Sequence, residues 1–260
     1  MKLGIIGAGN MGGAILESVY RQHTVLICEA DKRRASRLVK AFKVKSRDLP
    51  TVARESDALL LAVKPQSFGA LLPEVRPFVR KNQLIISIAA GITTKAIERQ
   101  LGAVKVIRCM PNMPAQIGEG VTALCKGKNA TAADLKKAAG ILKNVGRTVE
   151  VKESLMDAVT AVSGSGPAYV FLFAELMQKA AVDLGLTKKQ ARELVIQTLS
   201  GSAAQLQKTN EDAGRLREKV TSKGGTTAAA LKVFSSLGLE KIVKRALKAA
   251  AKRSKELAQP

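Results

Sequence analysis

Two hydrophobic rhythms divide the chain. From Leu3 to Val151, short unbroken apolar runs recur at intervals, and stretches of helical spacing separate them. The runs Leu3–Ile6, Val25–Glu29, Asp57–Val63, Leu84–Ile88, Val104–Cys109, Val121–Cys125 and Arg147–Val151 read as strands buried on both faces. Helices are predicted after Gly12, over Asp31–Ala41, from Thr93 or Thr94 to Leu101, and over Ala132–Val145. Regular alternation of strand and helix predicts an α/β fold, a Rossmann-type doubly wound sheet over residues 1–152.

Beyond Val151 no run reads as a strand, and residues 153–260 are predicted to be all helical. Leu155–Val162 is a short helix that Ser163-Gly164-Ser165-Gly166-Pro167 should break. Pro167–Leu184 is apolar nearly all round, the pattern of a buried helix, and a partner chain would be its cover in so small a domain. Gly185 suits its C-terminal cap. Thr187 and Gln190 form a capping box for a helix to about Lys208. Further helices follow from about Ala228 to Leu237 and from Leu239 to Leu257, the last strongly basic.

The first chemical feature lies at the end of the first strand. Gly7, Gly9 and Gly12 stand at G-x-G-x-x-G spacing between a strand and a helix. Gly7 allows the tight turn, Gly9 lets a pyrophosphate approach the backbone, and Gly12 lets helix and strand pack closely. The helix start adds free N–H groups and the positive end of its dipole. Glu29 lies about 20 residues further on, where an acid binds the ribose hydroxyls of NAD. Lys32, Arg33 and Arg34 follow at once and suit a 2′-phosphate, so the choice between NADPH and NADH stays open. Lys64-Pro65 ends the third strand at the sheet edge where such folds bind ligands.

Charge and composition narrow the picture. The net charge is +22, a balance that attracts anions and is met in nucleic-acid binders. Aromatic residues make up only 3% and tryptophan is absent, so platforms for base stacking are scarce, and nucleic acid is not the expected partner. No unbroken apolar run approaches the ~18 residues of a membrane span, and nothing before the glycine loop reads as a leader, so a cytoplasmic protein is expected. Cys28, Cys109 and Cys125 are odd in number, widely spaced and set in strands, as buried reduced thiols would be. His23 has no Cys or acidic cluster around it, and no metal site is expected.

A second chemical feature lies near the end of the chain. Ser222-Lys223-Gly224-Gly225-Thr226-Thr227 puts two glycines and three hydroxyls at a helix start. That combination makes an anion cradle, or else an ordinary Thr N-cap after a flexible loop. Without a Gly-Lys-Ser/Thr string it suits a carboxylate better than a phosphate.

Taken together the motifs resemble the Δ1-pyrroline-5-carboxylate reductase family along the whole chain. The resemblance rests on IIGAGNMG at the start, AVKPQ at 62–66, SIAAGIT at 87–93, RCMPNMPA at 108–115, AVSGSGPAYVF at 161–171 and VTSKGGTTAAAL at 220–231. It implies a Rossmann domain followed by an all-helical dimerisation domain, with homodimers that assemble into rings such as decamers. It also implies reduction of pyrroline-5-carboxylate to proline by NADPH or NADH. Gly7, Ala8, Gly9, Asn10, Met11, Ala62, Val63, Lys64 and Pro65 would then contact the cofactor. Ala89, Ala90, Asn112 and Pro114 would border its nicotinamide end. The substrate would lie between the nicotinamide and the loop Ser222–Thr227 of the second subunit. The backbone of Gly224 and Gly225, with Ser222 and Thr226, would hold its carboxylate, and Thr227 would bond the ring nitrogen. Three departures stand out: Lys223 where the family has Pro, Met113 where it has Thr, and Glu29, unexpected beside a 2′-phosphate.

Two other readings compete. A β-hydroxyacid dehydrogenase of similar architecture needs a catalytic Lys shortly after the glycines of its first interdomain helix, but Pro167-Ala168-Tyr169-Val170-Phe171 stand there. A non-catalytic basic nucleotide- or nucleic-acid-binding protein rests on the net charge alone.

Overall fold

A computed structural model describes residues 1–257. The chain divides into two compact units, Met1–Ser165 with the stretch from Ala250 onward, and Gly166–Ala249.

The first unit holds one sheet of eight strands: β1 (Lys2–Ile6), β2 (Thr24–Cys28), β3 (Lys45–Ser46), β4 (Ala58–Leu61), β5 (Leu84–Ser87), β6 (Lys105–Met110), β7 (Gly120–Lys126) and β8 (Gly146–Glu150). Their order is β3-β2-β1-β4-β5-β6-β7-β8. Every neighbouring pair is parallel except β6 and β7. The order reverses between β1 and β4, which puts a doubly wound sheet's crevice at the carboxyl ends of those two strands.

Apolar residues alternate between two cores, which is why the strands read as unbroken apolar runs. Leu3, Ile5, Ile27, Leu60 and Ile86 face α1 (Asn10–Val19), α2 (Lys32–Phe42) and α6 (Ala132–Leu142). Ile6, Leu26, Leu59, Leu61 and Ile85 face α3 (Leu49–Glu55), α4 (Phe68–Val75) and α5 (Thr94–Leu101). The sequence reading assigned no element to β3, α3 or α4. β3 is two residues long, α3 begins Leu49-Pro50, and α4 carries Pro73 inside it, so each breaks the pattern that would reveal it.

The expected break at Ser163–Pro167 is corrected. A 3₁₀ turn at Glu153–Leu155, α7 (Met156–Val159) and a π-helical turn at Thr160–Gly164 lead into α8 (Gly166–Asp183). Ser165 N–H reaches back to Thr160 O at 2.8 Å, and the Thr160 and Ser163 hydroxyls bond to Met156 O and Val159 O. The widened turn absorbs the glycines, so helix continues where the sequence reading stopped it. The helical run Glu153–Asp183 thus spans 31 residues with a mean hydropathy of 1.2 in its most apolar stretch. By length and composition alone that suffices to cross a membrane, although no unbroken apolar run within it approaches the length of a span.

Compactness draws the boundary between units after Ser165, whereas the sequence reading drew it after residue 152. Met156 and Ala161 are fully buried, and Met156 packs with Ala123 and Cys125. Ser254 near the chain's end donates to Asp157 at 2.8 Å. Glu153 ties the same segment to the sheet: its carboxylate accepts from Thr94 N–H (2.7 Å) and Oγ1 (2.6 Å) and pairs with Arg108 at 3.4 Å. The Arg108 side chain is only 5% exposed.

The second unit holds α8, α9 (Lys188–Thr209), α10 (Ala213–Lys219), α11 (Thr226–Ser236) and the first part of α12 (Leu239–Leu257). α8 packs along α9. The predicted capping box of Thr187 and Gln190 forms, and Gly185 at φ 99° follows α8. The expectation that α8 is buried fails within one chain. None of its residues is buried, and Val170, Phe171 and Leu172 are 53%, 56% and 54% exposed.

All three cysteines are free, Cys109 and Cys125 buried and Cys28 half-buried. Burial, with Glu153 nearby, pushes the Cys125 thiol up to about 12. His23 lies in the turn between α1 and β2, where burial lowers its pKa.

Removing the Glu153 carboxylate leaves the Arg108 cation in the core without its partner. Glu153→Ala should lower the urea-unfolding free energy of the first unit by about 2–4 kcal/mol, and Glu153→Gln, which keeps an acceptor, by less.

Candidate active site

The glycine loop opens at the crevice. Gly7 at φ 85° turns the chain out of β1, and its N–H donates to Cys28 O at 2.9 Å. A Cβ on Gly7 would press on Val63 at 2.8 Å, so the loop lies directly against the end of β4. A Cβ on Gly12 would overlap the Gly7 carbonyl oxygen and sit 3.0 Å from Ala62 Cβ. Beside Gly9, by contrast, there is open space.

Gly9 is the N-cap of α1, and no side chain bonds to the helix start. Asp31, Asp48, Thr93 and Thr131 supply that bond for α2, α3, α5 and α6. The first N–H groups of α1 therefore point at the space beside Gly9 without a side-chain acceptor. A pyrophosphate fits such a turn: room for its oxygens, donors aimed at them and a favourable dipole. Asn10 is exposed and begins α1, while Met11 is half-buried against the core.

A cleft of about 450 Å³ runs from this loop between α1 and α2, lined by Ala8, Gly9, Asn10, Arg34, Arg37 and Gln116 among others. Of the basic trio only Arg34 lines it; Lys32 and Arg33 are exposed and take no part in its walls. Arg37 and Gln116 escaped the sequence reading. Arg37 lies one turn beyond Arg34 on the same helix face, a spacing that could have revealed it. Gln116 comes from a 3₁₀ turn, Met113–Ile117, that packs on α1. Glu29 points inward: Oε2 accepts from Ala8 N–H at 2.7 Å and Oε1 from Asp31 N–H at 2.9 Å.

The other expected cofactor contacts line the same sheet edge but not this cleft. Ala62 and Val63 are half-buried at the end of β4, Lys64 is exposed, and Pro65 opens a 3₁₀ turn. Ala89 and Ala90 follow β5, which pairs with β4, and Ala89 is buried. Asn112 follows β6; its Oδ1 accepts from Val121 N–H at 2.9 Å. Pro114 is half-buried in the 3₁₀ turn, and Met113 is exposed.

In the second unit, Ser222–Thr227 forms a second turn of the same type. Gly225 is the N-cap of α11, again with no side-chain bond. Gly224 takes φ 71°, which a side chain would resist. Gly225 N–H closes the turn onto Ser222 O at 3.1 Å. The donors left facing outward are the first N–H groups of α11, at Thr226 and Thr227. Ser222, Lys223, Gly224 and Thr226 are exposed, and Thr227 is half-buried.

A Rossmann-type sheet with an open glycine turn, joined to a helical unit with a second open turn, defines the class of nicotinamide-nucleotide oxidoreductases. Residues 2–91 match the family described as NADP oxidoreductase, coenzyme F420-dependent, and residues 153–257 match that described as pyrroline-5-carboxylate reductase dimerisation. The chain belongs to the pyrroline-5-carboxylate reductase family. A pyrroline-5-carboxylate reductase of Synechocystis sp. is 40% identical, covering 99% of this chain and 98% of its own. Among solved structures, the pyrroline-5-carboxylate reductase of Coxiella burnetii superposes with a TM-score of 0.94 at 34% identity, covering 99% of this chain and 98% of its own. That of Plasmodium falciparum, with NADP bound, has a TM-score of 0.88 at 31% identity, covering 100% and 98%.

The crowding at Gly12 has a measurable consequence. Gly12→Ala should cost about 1–3 kcal/mol of stability, read by chemical denaturation, and weaken NADP⁺ binding by displacing the Gly7 carbonyl.

Proposed function

We propose that this chain reduces Δ1-pyrroline-5-carboxylate to proline with NAD(P)H. The observation that carries the reading is a pair of helix starts, Gly9 at α1 and Gly225 at α11, each uncapped by any side chain. One suits a pyrophosphate and the other a small carboxylate, in a chain matched along its full length by reductases of this substrate.

When bound, the reduced nicotinamide supplies a hydride. The chain's own residues bind and orient. The α1 start holds the cofactor's phosphates, and Ala62–Pro65, Ala89, Ala90, Asn112 and Pro114 border it along the sheet edge. Ser222, Gly224 and Thr226, with the N–H groups opening α11, hold the substrate carboxylate. The Thr227 hydroxyl bonds the ring nitrogen, which enters protonated and so makes the adjacent carbon electrophilic. Fixing two reactants in register supplies much of the rate enhancement without a strong acid or base. His23, in the turn after α1, takes no part.

The unburied α8 supports self-association. Its apolar surface falls in the segment matched by the dimerisation family, and a second copy covers it in our reading. This also accounts for the apolar run Glu153–Asp183 without a membrane. The protein works as a cytoplasmic homodimer or a ring of dimers such as a decamer. The dehydrogenase reading lacks its lysine, and the polyanion reading has no feature beyond charge to support it.

Initial rates of NADPH and NADH oxidation with pyrroline-5-carboxylate test the activity; no rate with either cofactor would exclude it. Thr227→Ala should lower turnover at least about tenfold, equivalent to about 1.4 kcal/mol of barrier, with cofactor affinity nearly intact. Light scattering should show a dimer or larger species, and Phe171→Glu should shift it towards single chains. A wild-type monomer would refute the assembly.

A further inference from the structure

α12 carries its positive charge on one side. At 3.6 residues per turn, Lys241, Lys244, Arg245, Lys248, Lys252 and Lys255 fall within an arc of about 100° and run for about 21 Å along the helix. All six are exposed. None of them forms an ion pair among the described residues. The acids of the helix are Glu240 and Glu256, and Glu256 pairs with Arg253 at 3.0 Å to one side of the stripe. Away from the stripe the helix meets the rest of the chain. Leu247 and Ala250 are half-buried there, and buried Ser254 donates to Asp157 at 2.8 Å.

Such a stripe does not serve the helix itself. Lys241 with Arg245, Lys244 with Lys248 and Lys248 with Lys252 are like charges one turn apart, an arrangement that destabilises a helix. Lys241 also stands in the first turn, at the wrong end of the dipole for a cation. Nor does the stripe suit contact between two copies, because on a two-fold axis it would meet its own charge. A row of one sign fits a partner that carries a row of the other. The total charge of +22 identifies no partner by itself; its arrangement on this helix is a separate observation.

The residues around the cations narrow the choice. Residues 241–255 hold no aromatic, Asn or Gln side chain, so nothing there stacks on a base or reads its edge. A lipid surface takes up an amphipathic helix by its apolar face. Here Ile242, Val243 and Leu247 lie away from the stripe, so inserting them would turn the cations towards water. A double helix needs neither device, and its fixed phosphates give about one negative charge per 1.7 Å of axis.

We infer that the exposed face of α12 binds double-stranded DNA through its phosphates, without regard to sequence. This adds a surface to the proposed reductase and does not rest on that activity.

Fluorescence anisotropy of a labelled DNA duplex of arbitrary sequence, titrated with the full-length protein between about 50 and 200 mM NaCl, tests it. Wild type should bind with a Kd of about 1–10 μM near the middle of that range, and log Kd should rise with log salt at a slope of about 4–5. The triple variant Lys244→Gln, Lys248→Gln, Lys252→Gln halves the stripe and relieves its repulsion, so its far-UV circular dichroism should match wild type. It should bind the duplex at least about tenfold more weakly, with the slope lowered by about 2–3. Lys81→Gln, Lys128→Gln, Lys137→Gln removes the same net charge from exposed positions of the first unit and should weaken binding less than about threefold.

No saturable binding by wild type below about 100 μM protein would overturn the inference. Equal loss in the two triple variants would do so too, by tracing the binding to total charge. Tighter binding to phosphatidylserine vesicles or to poly-glutamate than to the duplex, at equal charge concentration, would overturn it in favour of a lipid surface or an acidic chain. DNA binding without activity on pyrroline-5-carboxylate would leave this inference standing and remove only the substrate assignment.

Discussion

A helix must satisfy or expose the N–H groups of its first turn, and the rest of this molecule depends on two helices that leave them open. At six other helices a side chain takes care of them: Asp31, Asp48, Thr93, Thr131, Thr187 and Asp212 each cap the helix they precede. At α1 and α11 a glycine takes that place. Glycine in place of a capping side chain costs roughly a few tenths of a kcal/mol of helix stability. An anion bound at either start would offset that cost and so couple ligand binding to the order of the helix start.

The sheet makes the first open turn usable. Because the strand order reverses between β1 and β4, the fold leaves a crevice at the carboxyl ends of these strands. Gly12 brings α1 down onto the Gly7 carbonyl, which fixes where the open donors point. Glu29 braces the same loop from β2's side through Ala8. Three neighbouring pieces of backbone are therefore located by one close contact and one buried carboxylate.

Much of this was legible in the sequence. The two-faced strands announced themselves because Leu59, Leu60 and Leu61 alternate between two separate cores. Both open turns were marked by glycines at a helix start. What stayed hidden depends on chain folding rather than local pattern. α3 and α4 carry prolines that mask their period, and the π-turn at Thr160–Gly164 hides a continuous run behind apparent breakers. Glu29 and Lys32 were chosen by distance along the chain, yet the direction of a carboxylate is set by which N–H groups surround it. Arg34, and not its neighbours Lys32 and Arg33, meets the cleft because of its angle on α2.

The antiparallel step from β6 to β7 has an effect of its own. It starts β7 at the same sheet edge at which β6 ends, so that Val121 N–H lies beside Asn112. That bond settles the orientation of the amide: its oxygen is engaged, and its NH₂ is left over. The side chain thus turns its NH₂ donors towards the free side, able to greet an acceptor there. The reversal of a single strand thus gives one position on the rim a fixed polarity.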